Sequence, residues 1–278
     1  MTASGQRQRL NNWLLVLMLV IAFALRFTIA QDNFWLDEIW SYYMVSTLYT
    51  PFEVFTELKI DNNHPLNSLF MYAMGEQPAW QVYRLLALVC GVATVWYTGQ
   101  ASRVTGGKLW LGLLLSMLSL PLIQYSAEAR GYGPAALCGL LAYYIYFSRR
   151  LNQPLGLTAM QFWLVCIAGF LSHLSFTFVF ICIGFAWLID GLRNKEPNSP
   201  LFRQGLILFL LPSVCMLWIL IAFYMQLSSG GTHHSISVGD QLMTLMSYVA
   251  GTPLSAAGGV VAVMVCAALA IIGINSLD

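Results

Sequence analysis

Long apolar runs, separated by short polar turns, constrain this chain more than any other feature. An α-helix needs ~20 apolar residues to cross a bilayer at 1.5 Å rise each. Eight runs approach that length: Trp13–Ala30, Val82–Ser102, Leu109–Tyr125, Tyr132–Phe147, Ala159–Ser172, Ser175–Ile189, Gly205–Tyr224 and Gly258–Ile274. The fifth and sixth are short and meet at His173; one long helix there would upset the count of basic residues on each side, so two are expected. Only 9% of the residues are charged, against about 25% in a soluble domain. The net charge is +1, which gives no electrostatic footprint for nucleic acid. The expected fold is an all-α polytopic membrane protein with about eight transmembrane helices, a single domain over residues 1–278.

Arg7 and Arg9 before the first run imitate a signal peptide, but Arg26 interrupts its end and further spans follow, so a retained signal-anchor is expected. With the N-terminus in the cytoplasm, nine basic residues fall inside: Arg7, Arg9, Arg103, Lys108, Arg149, Arg150, Arg193, Lys195 and Arg203. Four fall outside: Arg26, Lys59, Arg84 and Arg130. The positive-inside rule supports this orientation. Most carboxylates sort the other way. Asp32, Asp37, Glu38, Glu53, Glu57, Asp61, Glu76, Glu128 and Asp240 lie outside, and Asp190, Glu196 and Asp278 inside. The chemistry is therefore expected on the outer face of a cell (inner) membrane.

The first outer loop, residues 31–81, is the longest polar segment, and its patterning is helical. Thr50-Pro51-Phe52-Glu53 is a capping box with proline at the first helical position, predicting a helix to about Ile60. His64–Gly75 carries Leu66, Leu69, Phe70, Ala73 and Met74 on one face. That stretch is too short to span and reads as an amphipathic helix lying in the interface. Later, residues 225–257 form a second outer loop containing His233 and His234. The six cysteines sit singly within apolar runs, without metal spacing, and read as small buried hydrophobes.

Candidate chemistry gathers around Phe34-Trp35-Leu36-Asp37-Glu38-Ile39-Trp40-Ser41. Tryptophan favours the membrane–water interface, and a carboxylate at that depth is costly unless solvated, paired or used. Asp37 reads either as a general base or as a helix N-cap, with Glu38 favouring the first-turn dipole. Arg130 can grip a phosphate through its planar fork; the alternative is an ion pair with Glu128 or a snorkelling arginine. Arg84 and, more weakly, Lys59 offer the same choice. His64 can meet a metal, a phosphate or water; His173, His233 and His234 are weaker candidates, and the adjacent pair His233-His234 reads as loop polarity. Asp37, Glu38, Glu128 and His64 together could supply oxygen and nitrogen ligands for a divalent metal ion. No Walker or Rossmann motif is present, and no acid or base interrupts the centre of a span, which argues against a proton-coupled transporter.

The order Leu25-Arg26, Trp35-Leu36-Asp37-Glu38-Ile39-Trp40-Ser41, Asn63-His64-Pro65-Leu66, Tyr83-Arg84-Leu85 and Tyr125-Ser126-Ala127-Glu128-Ala129-Arg130-Gly131-Tyr132 resembles the GT-C membrane glycosyltransferases. The likeness is to the protein O-mannosyltransferase and aminoarabinose-transferase branch and to bacterial relatives acting on lipopolysaccharide core sugars. It covers residues 12–135; the remainder matches only as further spans. The resemblance implies a polyprenyl-phosphate sugar donor and an acidic base in the first outer loop, a role falling on Asp37 with Glu38 beside it. The residues expected around the substrate are Arg130, Arg84, Glu128, His64, Tyr132 and Lys59. Where the family often has a double proline, this chain has His64-Pro65-Leu66. Relatives are usually longer, so the chain is expected to be a minimal member or to lack a C-terminal part.

The residues lead to the same chemistry. A sugar donor outside the cytoplasm must arrive on a lipid, and its phosphate is already a good leaving group. The acceptor hydroxyl needs a base, worth ~10²–10⁴-fold. The expected activity is an inverting glycosyltransferase moving a sugar to a hydroxyl on a glycan, lipid or protein. A transporter or flippase of the lipid-linked sugar would share the cavity and the arginines without needing a base. A non-catalytic scaffold would leave Asp37 and Glu128 far apart.

Overall fold

A computed structural model describes residues 3–60, 62–77, 79–149, 155–193, 200–222, 260, 261 and 264. All of the eighth expected span but residues 260, 261 and 264, the loop with His233 and His234, and the carboxylates Asp61 and Asp240 lie outside the described residues. The helices are α1 (Ala3–Ile29), α2 (Leu36–Ser46), α3 (Glu53–Thr56), α4 (Pro65–Met74), α5 (Gln81–Val104), α6 (Leu109–Leu118), α7 (Leu120–Tyr125), α8 (Tyr132–Arg149), α9 (Leu155–Ser172), α10 (Phe176–Arg193) and α11 (Pro200–Ala222). The described residues are all-α, as expected. Residues 1–118 and 122–229 form one compact unit, and residues 119–121 with 230–278 form a second. The site lies in the first.

Two helical segments among the described residues are long and apolar enough to cross a bilayer, Asn11–Ile29 and Gln81–Val104. Leu109–Leu118, Gly156–Ser172, Phe176–Ile189 and Gly205–Ile221 are apolar but shorter. The expected third run does not form one helix: it breaks at Ser119, between α6 and α7. Pro121 lies just beyond the break and cannot donate to the preceding turn. The fifth and sixth runs are two helices, parted at His173 as expected. Large apolar side chains stay exposed along their outer faces, among them Trp13, Val20, Leu164, Phe178, Phe185 and Trp218.

A Cβ on Gly112 of α6 would meet the Thr98 carbonyl at 2.8 Å and the Gly99 Cα at 3.2 Å, so α5 and α6 approach through glycine. Arg26, fully buried in the last turn of α1, donates to the Ala22 and Ser116 carbonyls and ties α1 to α6. Helices α8–α11 share a core of Ala142, Phe162, Cys166, Phe170, Phe180 and Leu208.

The first loop folds into the three short helices α2, α3 and α4. Helix α3 ends at Thr56 rather than near Ile60. Its carboxylate signature is present, since Glu53 accepts from Thr50 Oγ1 at 3.1 Å and from the Tyr49 N–H at 2.8 Å. The Asn63 amide stops it by donating to the Val54 and Leu58 carbonyls at 2.9 and 2.8 Å. Helix α4 matches its expected span and ends at Gly75, where φ is +62°. Its orientation differs from a soluble amphipathic helix. Asn67, Ser68 and Met71 are its buried face, while Leu66, Leu69, Phe70 and Met74 are half-exposed and Ala73 exposed. The polar side bonds inward, while Met74 packs with Met71 against the cluster of Phe34, Val45 and Leu58.

Candidate functional site

The site forms where the start of α2 meets the 126–131 turn and the junction of α9 with α10. Trp35, in extended conformation, precedes α2. The Trp35 N–H donates to Glu38 Oε2 at 3.3 Å, so Glu38 supplies the helix-start carboxylate that the sequence left to Asp37. Asp37 instead lies in the first turn, its side chain 39% exposed.

Glu38 is fully buried, and Arg84 from α5 binds it twice, Nε to Oε1 at 2.9 Å and Nη2 to Oε2 at 2.6 Å. The remaining Arg84 donors reach the carbonyls of Ala30 (2.8 Å), Asp32 (2.6 Å) and Asn33 (3.1 Å). All five donors of the fork are spent. Glu38 Oε1 also accepts the Ala129 N–H at 2.6 Å. Sequence reasoning put Glu38 at the catalytic centre and Arg84 on a phosphate; geometry gives both a different place. They pin α2, α5 and the 126–131 turn together, and neither has a free face for a ligand.

The turn is held from a second side, where Asn67 of α4 donates to the Ala129 carbonyl at 2.7 Å. Arg130 is thereby aimed at α2. Its Nη1 meets Asp37 Oδ2 at 2.9 Å, and its Nη2 donates to Asn62 Oδ1 at 2.9 Å. The guanidinium carbon lies 4.8 Å from the Tyr132 ring centroid and 5.8 Å from that of Trp35. Arg130 Nε is buried without a partner. Asn62, missed by sequence reasoning, also donates to the Asp37 carbonyl at 2.8 Å and to Ser41 Oγ at 3.2 Å. Arg130 therefore pairs with Asp37 rather than with Glu128.

Glu128 stands close enough to feel Arg130, Glu38 and Arg84, and its Oε2 is buried with no partner. Burial pushes its carboxyl up to about 7, although Arg130 pulls the other way. Tyr132 lies within electrostatic reach of Arg130, Tyr125, Glu128 and Asp37. Asp37 and Glu128 thus share one neighbourhood.

Aromatic rings close the far side. His64 stacks on His173 at 4.9 Å and lies 5.6 Å from Tyr132; His173 lies 4.5 Å from Tyr132, and Tyr125 lies 4.6 Å from Tyr132. His64 is buried, and its Nε2 has no partner. Burial, then His173 and Arg130, hold its imidazole well below the usual range. Burial and Arg130 lower His173 to about 4. Both rings are neutral at pH 7. The close fit depends on Gly131, because a Cβ there would collide with the Ser172 carbonyl.

The set Asp37, Glu38, Glu128 and His64 does not converge as a metal centre needs. Among the described residues no three His, Cys, Asp or Glu side chains come together for one ion. Glu38 has given both oxygens to protein donors. Lys59 stands apart, on the wall of an apolar groove of about 470 Å³ whose sides include Phe52, Pro65, Leu171 and Trp218. Two of those wall residues adjoin the site along the chain, Pro65 next to His64 and Leu171 two residues before His173. No family model, curated protein or solved structure matches this chain.

Proposed function

We propose that this protein is an inverting glycosyltransferase that moves a sugar from a polyprenyl-phosphate donor to an acceptor hydroxyl at the extracytoplasmic face of a membrane. One observation carries the reading: a half-exposed carboxylate, Asp37, sits 2.9 Å from an arginine held between aromatic rings, while Pro65, adjacent in sequence to His64, walls an apolar groove together with Lys59. A base, a phosphate ligand and a place for a hydrocarbon chain are what transfer from a lipid phosphate requires. The groove volume falls within the ~300–1,000 Å³ of small-molecule sites, and it takes the isoprene units nearest the phosphate.

The reaction needs one bond made and one broken. The acceptor oxygen attacks the anomeric carbon, the bond from that carbon to the phosphate oxygen breaks, and the acceptor proton passes to Asp37. Direct displacement inverts the anomeric carbon. A phosphate on Arg130 competes with Asp37 for the guanidinium, so donor binding loosens the ion pair and frees the carboxylate. Glu128 and Tyr132 line the sugar side. Eight spans with a cytoplasmic N-terminus complete this reading, and the exposed apolar faces of α1 and α9–α11 support a membrane setting by offering surfaces for a bilayer.

The test is turnover of a radiolabelled polyprenyl-phosphate sugar by the purified full chain. Labelled sugar released from phosphate onto an acceptor, and lost in Asp37→Asn with the melting temperature unchanged, is the expected result. Intact donor lipid that only crosses the vesicle wall would establish a flippase instead.

A further inference from the structure

His173 is a weak candidate in the sequence, yet it is held with more definition than any other imidazole among the described residues. The Ser175 backbone N–H donates to His173 Nδ1 at 3.0 Å, and Ser175 Oγ lies 2.8 Å from the same atom. A backbone N–H can only donate, so Nδ1 must accept. In a neutral imidazole the proton then belongs to Nε2. Burial and the Arg130 charge keep the ring neutral, and stacking on His64 and Tyr132 fixes its plane. The Nε2–H has no acceptor among the described residues. It is a fixed, unused donor at the junction of α9 and α10, and the apolar groove is walled by Leu171, two residues before His173, and by Pro65, next to His64.

A neutral N–H donor beside a fixed guanidinium suits an anionic oxygen better than a cation or a neutral hydroxyl. The cation supplies the charge, and the N–H adds direction without repelling it. We propose that His173 is a ligand-binding residue that donates its Nε2–H to a phosphate oxygen of a chain-bearing phosphate held by Arg130. This rests on the reading of Arg130 as the phosphate site. It gives the α9–α10 junction, outside the first loop, a direct part in holding the lipid head. Ser175 then acts through His173 as a positioning residue, because its N–H selects the tautomer.

The experiment uses the full chain in detergent micelles, ¹⁵N-labelled at histidine, titrated with farnesyl phosphate and in parallel with inorganic phosphate. The His173 resonances, assigned by their loss in His173→Gln, should show an unprotonated Nδ1 and a protonated Nε2, and farnesyl phosphate should shift Nε2–H. His173→Ala should weaken farnesyl phosphate binding about tenfold or more, the usual scale for a hydrogen bond to a charged group. His173→Gln, which keeps an N–H of similar reach, should retain most of the affinity. A protonated Nδ1 in the free protein overturns the proposal. So does unaltered binding by His173→Ala while Arg130→Gln loses it, a result that leaves the phosphate site itself intact. Binding that ignores both substitutions removes Arg130 as the phosphate ligand, and this inference with it. Equal affinity for inorganic phosphate would assign the donor to a free anion and overturn the chain-bearing ligand.

Discussion

Glu38 and Arg84, 46 residues apart in sequence, meet through two hydrogen bonds of 2.9 and 2.6 Å with 0% and 4% of their side chains exposed. The pair joins the start of α2 to α5, and through the Ala129 N–H it also fixes the turn that carries Arg130. Removing one partner leaves a buried charge without compensation, which costs ~3–5 kcal/mol. Arg84→Leu or Glu38→Leu should therefore lower stability by that order, read as a fall in thermal or chaotrope unfolding midpoint. Arg84→Lys should not restore it, because an ammonium cannot make the paired contact or reach three carbonyls at once. The double variant should cost less than the two single losses added together.

Asp37 and Arg130 form the opposite kind of pair. Their side chains are 39% and 10% exposed, and a partly solvated ion pair contributes only ~0–1 kcal/mol. Asp37→Asn should leave the unfolding midpoint nearly unchanged while lowering sugar transfer by ~10²–10⁴-fold, the usual worth of a general base. Matched measurements of stability and turnover on Asp37→Asn and Glu38→Gln separate the two neighbours. The first should fail in chemistry and the second in folding.

How far the sequence showed this division follows from which contacts are local. The helical runs, the short helices of the first loop and the break at His173 are written in spacing and in single punctuating residues. The end of α3 is not, because it depends on Asn63 folding back to Val54 and Leu58. Adjacent carboxylates Asp37 and Glu38 look alike in sequence. Their separate roles come from Arg84 and Ala129, 46 and 91 residues away. His173 looked weak alone because its partners, His64 and Tyr132, come from other elements. The one local hint was Ser175 two residues on, able to select a tautomer.

The titrating groups of the site act on stability in opposite directions. The Glu128 carboxyl is raised to about 7 by burial, so between its unfolded value of about 4.5 and 7 the folded state holds the extra proton. Its contribution is full at low pH and is lost as pH rises through that window. His64 and His173 are lowered, so below about 6.5 the unfolded state takes their protons and stability falls as pH falls. The slopes partly cancel in the native chain. Glu128→Gln removes one of them. Its unfolding midpoint should exceed that of the native protein increasingly as pH rises from about 4.5 to 7, and should itself drop on acidification below about 6.5. Midpoints measured from pH 4 to 8 on both proteins check this; parallel curves would show that Glu128 titrates normally.

Gly131 tests whether the ring cluster must be this tight. A Cβ at residue 131 would strike the Ser172 carbonyl and stand 3.0 Å from the His64 Cβ. The obstacle is backbone, so no side chain can swing aside. The start of α8 must then withdraw from the end of α9. Overpacking of this kind costs ~1–3 kcal/mol, and withdrawal also parts His64 from His173 and tilts Tyr132 against Arg130. Gly131→Ala should lower the unfolding midpoint by that order and lose both transfer and phosphate binding. Gly139→Ala, inside α8 itself, is the internal control. There a Cβ would meet Val179 at 3.5 Å, an ordinary contact, and alanine is the better helix former by ~1 kcal/mol. That variant should be at least as stable as the native protein and fully active, so equal damage from the two substitutions would show that α8 tolerates no added methyl and that Gly131 has no special place.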